Sequence, residues 1–111
     1  MSTQDRRSGK ERRAINRYPV EIEVEWQGSA GRQPGSMSDV SLDGCFVLSS
    51  GDVNDGETVR LFIPLADGMK AEFSGRVANH VFEIGFGLRF DQLSAAQRDL
   101  LTKIVRDSGQ S

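Results

Sequence analysis

Val20-Glu21-Ile22-Glu23-Val24-Glu25-Trp26 decides the fold class. Apolar and acidic residues alternate strictly, which is the period of a strand whose successive side chains point to opposite faces. Val20, Ile22, Val24 and Trp26 therefore face a core, and the three glutamates face water. On the N-terminal side, Pro19 pushes Tyr18 toward extended backbone and argues against a long helix. On the C-terminal side, the stretch from Gly28 to Gly35 is a loop by composition.

Working outward, the same pattern recurs in short pieces. Strands are predicted over about Ser36–Ser41, Gly44–Ser49 and Glu57–Ile63, the last ending at Pro64, with a turn-rich connection from Gly51 to Gly56. Asp67-Gly68 is a hairpin signal. The strand after it runs from about Met69 to Asn79, and Gly75 suggests a bulge or bend within it. A last strand, Phe82–Phe90, carries Gly85 and Gly87, a glycine density that fits a small curved sheet. Short strands at roughly 8–12-residue spacing point to an antiparallel barrel or sandwich, and closure would remove unpaired edges. The period then changes. Ser94 and Gln97 form a capping box, and Leu100, Leu101, Ile104 and Val105 mark one face of a helix from about Ala95 to Arg106. That face packs on the sheet or a barrel mouth, or forms a dimer contact.

The chain has 111 residues, enough for one domain, with 37% hydrophobic and 27% charged residues. No apolar run approaches the ~18 residues of a membrane-spanning helix, and the polar N-terminus lacks the apolar core of a secretory signal. A cytoplasmic location without membrane insertion is expected. The formal net charge of −2 conceals an asymmetry. Residues 1–17 carry six basic and two acidic side chains, and the remainder eight basic and fourteen acidic. A basic arm on an acidic body suits an anionic ligand; it could equally fold back on that body or be solvated.

Catalysis is poorly supported. Cys45 is the single cysteine, set in the apolar run Cys45-Phe46-Val47-Leu48, and reads as a small buried hydrophobe. His80 is the single histidine, without metal-ligand spacing around it, and reads as a surface or rim residue. No glycine-rich phosphate loop precedes a helix, and no metal cofactor is expected. Asp52 and Asp55 sit where turns favour aspartate.

Binding is better supported. Arg13 and Arg17 form Arg-x-x-x-Arg, and Asp39, Ser41 and Gly44 form Asp-x-Ser-x-x-Gly. On a helical turn the two arginines share a face; in a bent loop they would close on a ligand from two sides. Residues i and i+2 of an extended segment also share a face, so Asp39 and Ser41 would project together. Gly44 fits a left-handed or closely approached position. Arginine matches phosphate and the guanine edge, aspartate accepts from guanine N1–H and its amino group, and serine can donate to either. Each motif alone is also explained by ordinary turns and a solvated tail.

In their order and separation, Arg12-Arg13-x-x-x-Arg17, a strand, Asp39-x-Ser41-x-x-Gly44 and the late Gly87-Leu88-Arg89-Phe90 resemble the PilZ domain family, small bacterial receptors for cyclic di-GMP. The resemblance covers the chain from Arg12 to the terminal helix. It implies a mainly β fold: a six-stranded antiparallel β-barrel over 18–106 including a C-terminal α-helix, preceded by a flexible basic arm, 1–17, and followed by a disordered tail, 107–111. By position it assigns Arg13 and Arg17 to guanine and phosphate, Arg12 to stacking or phosphate, Asp39 and Ser41 to hydrogen bonds with guanine and phosphate, Gly44 to a tight turn beside the ligand, and Gly87 to the late strand near it. The implied protein is not an enzyme. It passes the signal to an unidentified downstream protein that controls motility, exopolysaccharide or biofilm output, as a monomer or weak homodimer that binds neither DNA nor RNA. The alternative is a PilZ-like adaptor that binds no nucleotide.

Overall fold

The computed structural model describes residues 17–109. Arg12 and Arg13, with the rest of the expected arm before Arg17, lie outside them, as do Gln110 and Ser111.

Six strands, β1 (Tyr18–Gly28), β2 (Gly31–Val40), β3 (Gly44–Leu48), β4 (Thr58–Pro64), β5 (Lys70–Val81) and β6 (Gly85–Phe90), are followed by one helix, α1 (Ala95–Gly109). All neighbouring strands pair antiparallel in the order β1-β2-β3-β6-β5-β4, and β4 pairs back onto β1, closing a barrel. Closure leaves no long unpaired edge to template association. The alternation that opened the sequence reading survives intact: Val24 and Trp26 are buried inside, and Glu21 and Glu23 are exposed.

The interior is filled by side chains. Trp26, Met37, Leu61, Phe73, Phe86 and Leu88 are buried in one cluster. Trp26 meets Phe86 edge-to-face at 4.9 Å between ring centres, an arrangement the ring quadrupoles favour. Helix α1 packs against β1. Its Leu101 is fully buried, and Leu100, Ile104 and Val105 pack against the core beside Val20 and Ile22. The capping box forms as the sequence implied: Gln97 N donates to Ser94 Oγ at 3.1 Å, and Ser94 N donates to Gln97 Oε1 at 2.8 Å. Gln97 Nε2 also donates to the Glu72 carbonyl, tying the helix start to β5.

Four boundaries differ from the sequence reading. First, Gly31–Gly35 is strand, not loop. Pro34 is tolerated there because β3 reaches β2 only from Ser36 onward, so its missing N–H costs no ladder bond on the open side. Second, β5 runs on to Val81, and Phe82–Ile84 is a turn: Glu83 adopts φ 61°, which no strand accommodates. Third, α1 continues past Arg106 to Gly109, so residues 107–109 of the expected tail are helical; Ser108 Oγ donates to the Val105 carbonyl. Fourth, the register through Gly75 is unbroken. The bulge falls two residues later, between Val77 and Asn79. Glycine at 75 answers instead to close packing, since a Cβ there would lie 2.5 Å from the Arg89 carbonyl oxygen.

Candidate ligand-binding site

Arg17 enters β1 directly, and Asp39 stands next to last in β2. Pairing of Pro19 with Asp39 and of Tyr18 with Val40 brings these two ends together. Arg17 Nη1 donates to Asp39 Oδ1 at 2.8 Å. The side chains remain 47% and 32% exposed, so the pair is open to a ligand as well as to water.

Ser41 does not share the outlook of Asp39. Strand β2 ends at Val40, and the extended geometry that would align residues 39 and 41 ends with it. Ser41 is 2% exposed. Its Oγ accepts from the backbone N–H groups of Asp43 and Gly44 at 3.1 and 3.2 Å, and its own N–H donates to the Gly44 carbonyl at 2.8 Å. The hydroxyl thus holds its own loop, an ordinary use of serine. Gly44 opens β3 opposite Arg89. A Cβ on it would lie 2.1 Å from the Leu88 carbonyl oxygen, so close backbone approach, not a left-handed φ, demands glycine.

Beside this loop lies an open cavity of about 360 Å³ lined by Arg17, Asp43, Asn79, Gly87, Arg89 and Phe90, among others. Gly87, expected near the ligand in the late strand, lines this cavity. The floor is the outer face of β6: Phe86 and Leu88 point inward, and Gly87 and Arg89 alternate with them. Asn79 was not singled out from sequence. Arg76 pairs with Arg89 and Asn79 with Gly87, three residues against two, so β5 carries one extra residue at this point. That bulge turns Asn79 onto the face of Gly87, where strict alternation would have sent it inward. The Asn79 amide then occupies the space that a Cβ at 87 would take, with Oδ1 at 2.2 Å from that position. The strand signal in the sequence hid this, because a bulge at Ala78 has no glycine to announce it.

His80 follows the bulge and is half-buried, with Nε2 enclosed and without a hydrogen-bond partner. Cys45 is fully buried, and burial with the nearby Asp39 carboxylate pushes its thiol up to about 12, far from a nucleophile's range. Among the described residues, no group of three or more His, Cys, Asp or Glu gathers as a metal site. Nor is any helix there long and apolar enough to cross a membrane.

A closed six-stranded barrel with a terminal helix, and an arginine meeting an Asp-x-Ser-x-x-Gly loop, accords with the family model for the PilZ domain, which matches residues 11–107. The chain belongs to the PilZ domain family. The PilZ domain of CeSA from a cellulose-synthesizing bacterium superposes with a TM-score of 0.65 at 21% identity, covering 83% of this chain and 96% of that one. The PilZ domain of YcgR from Escherichia coli, solved with c-di-GMP, superposes at 0.73 with 13% identity over 89% and 92% of the two chains. MotI/DgrA of Bacillus subtilis, an inhibitor of motility, gives 0.70 at 18% identity over 89% of this chain but only 52% of its own. At these identities the likeness shows the shared fold. A search of curated proteins found no match.

Proposed function

We propose that this PilZ protein is a cytoplasmic receptor for cyclic di-GMP and binds it without transforming it. The observation that carries the reading is the 2.8 Å contact between Arg17 and Asp39. It brings one arginine of the first motif to the leading residue of the second, at the rim of an open cavity that also holds Gly87. Guanine N1–H and its amino group suit the Asp39 carboxylate, and phosphate suits the Arg17 fork. Arg12 and Arg13, outside the described residues, extend the positive charge. Ser41 and Gly44 keep the loop in shape, and a direct Ser41 contact to the ligand requires its hydroxyl to leave that loop. YcgR and PlzA relatives solved with c-di-GMP support the ligand assignment.

In this reading the ligand joins the arm bearing Arg13 and Arg17 to the barrel face bearing Asp39. A downstream protein reads the altered surface, with motility, exopolysaccharide or biofilm as the output. Calorimetric titration with cyclic di-GMP tests it. The wild type should release heat at micromolar ligand, and an Arg13→Ala/Arg17→Ala double variant should not; a silent wild type overturns the proposal. The adaptor reading draws on Phe82 and Ile84, large apolar side chains exposed at the β5–β6 turn, and that same silent titration is the result it predicts.

A further inference from the structure

The end of the barrel where β5 turns into β6 presents apolar side chains to water. Phe82 is 70% and Ile84 55% exposed, and Leu48 and Val81 are exposed beside them. Strand pairing makes these four neighbours. Leu48 and Val81 both lie opposite Gly85, one from each side, and Ser49 N donates to the Ile84 carbonyl at 3.0 Å. Gly85 leaves a gap between Leu48 and Val81. The Phe46 ring reaches that gap, since a Cβ at 85 would lie 2.9 Å from a ring carbon. Single exposed apolar residues need no explanation, but a contiguous group does.

The turn itself runs against turn chemistry. Ile84 N donates to the Val81 carbonyl at 2.9 Å, so Phe82 and Glu83 are the central residues of a β-turn. Glu83 has φ 61°, and among the described residues it is the one non-glycine with positive φ. That position favours Gly or Asn, and exposed turns are otherwise built from small polar residues. This one holds a phenylalanine, a glutamate and an isoleucine. Local rules broken together at one exposed tip mark a functional surface.

Charge selects the occupant. The connections 29–30, 49–57 and 82–84 lie at this end, joined by the bonds from Ser29 N to Glu57 and from Ser49 N to Ile84. They carry Asp52, Asp55, Glu57 and Glu83 and no Lys or Arg. Among the described residues none of the four has an ion-pair partner. A second copy docked about a two-fold axis would bring the same carboxylates toward each other, and an anionic membrane would repel them. We propose that this end of the barrel docks a protein segment whose apolar side chains are flanked by Lys or Arg. Leu48, Val81, Phe82 and Ile84 bury the apolar side chains, and Glu83 at the tip, with Asp52 on the loop after Leu48, meets the cations.

The inference stands apart from the cyclic di-GMP reading, because none of these residues lines the cavity. It is tested on the full chain without nucleotide, so a silent cyclic di-GMP titration leaves it untouched. The probe is a helical peptide of leucine and lysine, about two heptads long with its leucines on one face; its counterpart has glutamate for every lysine. The leucine–lysine peptide should shift the amide NMR resonances of Leu48 and of residues 81–85, and the leucine–glutamate peptide should not. Phe82→Ser/Ile84→Ser should weaken binding at least about tenfold with the melting temperature unchanged. Glu83→Gly relieves the positive φ, so it should melt no lower than wild type and yet bind about two- to fivefold more weakly. No shifts, shifts confined to other surfaces, or undiminished binding by the Phe82→Ser/Ile84→Ser protein overturns the inference. So does sedimentation that finds the wild type dimeric and that variant monomeric, which assigns the face to a second copy. Capture of the wild type and not the variant by phosphatidylglycerol vesicles assigns it to a membrane and overturns it equally.

Discussion

Arg17 and Asp39, twenty-two positions apart in sequence, meet through one 2.8 Å hydrogen bond at the open end of the β1–β2 pair. The contact uses one of the five guanidinium donors and one of the two carboxylate oxygens, and both side chains stay partly exposed, so a ligand can add to it. Exposed ion pairs contribute only about 0.2–1 kcal/mol. Asp39→Ala should therefore lower stability by less than about 1 kcal/mol in urea denaturation. In the proposed function the same variant loses an anionic acceptor for guanine, and its cyclic di-GMP affinity should fall by about tenfold or more. A stability loss of several kcal/mol would mean that Asp39 is a structural residue.

Two glycines of the site should respond oppositely to alanine. At Gly44 the new Cβ would meet the Leu88 carbonyl oxygen at 2.1 Å, and strands β3 and β6 would have to part. Overpacking against backbone costs roughly 1–3 kcal/mol. At Gly87 the obstacle is the end of the exposed Asn79 side chain, which can rotate aside. Gly87→Ala should stay within about 0.5 kcal/mol of wild type while displacing Asn79, so it should bind poorly and melt normally. Thermal melts with a parallel ligand titration check both.

Ser41→Ala removes the acceptor of two backbone N–H groups in a buried loop. Unsatisfied buried donors cost about 1–3 kcal/mol, so the urea midpoint should fall clearly, in contrast to Asp39→Ala. An unchanged midpoint would show that water replaces the hydroxyl and that the loop is not held from within.

The barrel was legible because period two is a long-range signal: Val20–Trp26 alone shows which side faces the core, and the capping box at Ser94 and Gln97 marks the helix start. Hairpin and bulge details were less so. Pro34 reads as a breaker until it is known that β2 is unpaired on its β3 side there, and Gly75 reads as a bulge although tight packing under Arg89 explains it. Within the site, the family resemblance linked Asp39 to Arg17, whereas the i, i+2 spacing that would set Ser41 beside Asp39 holds only while the strand lasts, and β2 stops between them. Asn79 was hidden for the same kind of reason: one extra residue at the bulge inverts which face every later side chain of β5 takes.

Glu57 makes acid stability a local matter. Its Oε2 accepts from Ser29 N at 2.8 Å, and its Oε1 from Asn54 N at 2.9 Å, so one carboxylate ties the β1–β2 turn to the loop before β4. Those backbone donors, that of Ser29 foremost, hold its pKa below the ordinary 4.5. A carboxylate with a depressed folded pKa binds protons more readily unfolded, so its contribution is complete above about pH 4.5 and disappears as pH falls through the lower folded value. Glu25, held down by Lys70 and then Arg32, and Glu72, held down by Arg60, act in the same direction. Stability should thus be flat from neutrality to about pH 5 and fall below it. Glu57→Gln keeps the shape but presents only one good acceptor, so it should be less stable at pH 7 and show a shallower loss between pH 5 and 3 than wild type. Urea midpoints at stepped pH measure both, and parallel curves for the two proteins would show that the Glu57 bridge contributes nothing to acid sensitivity.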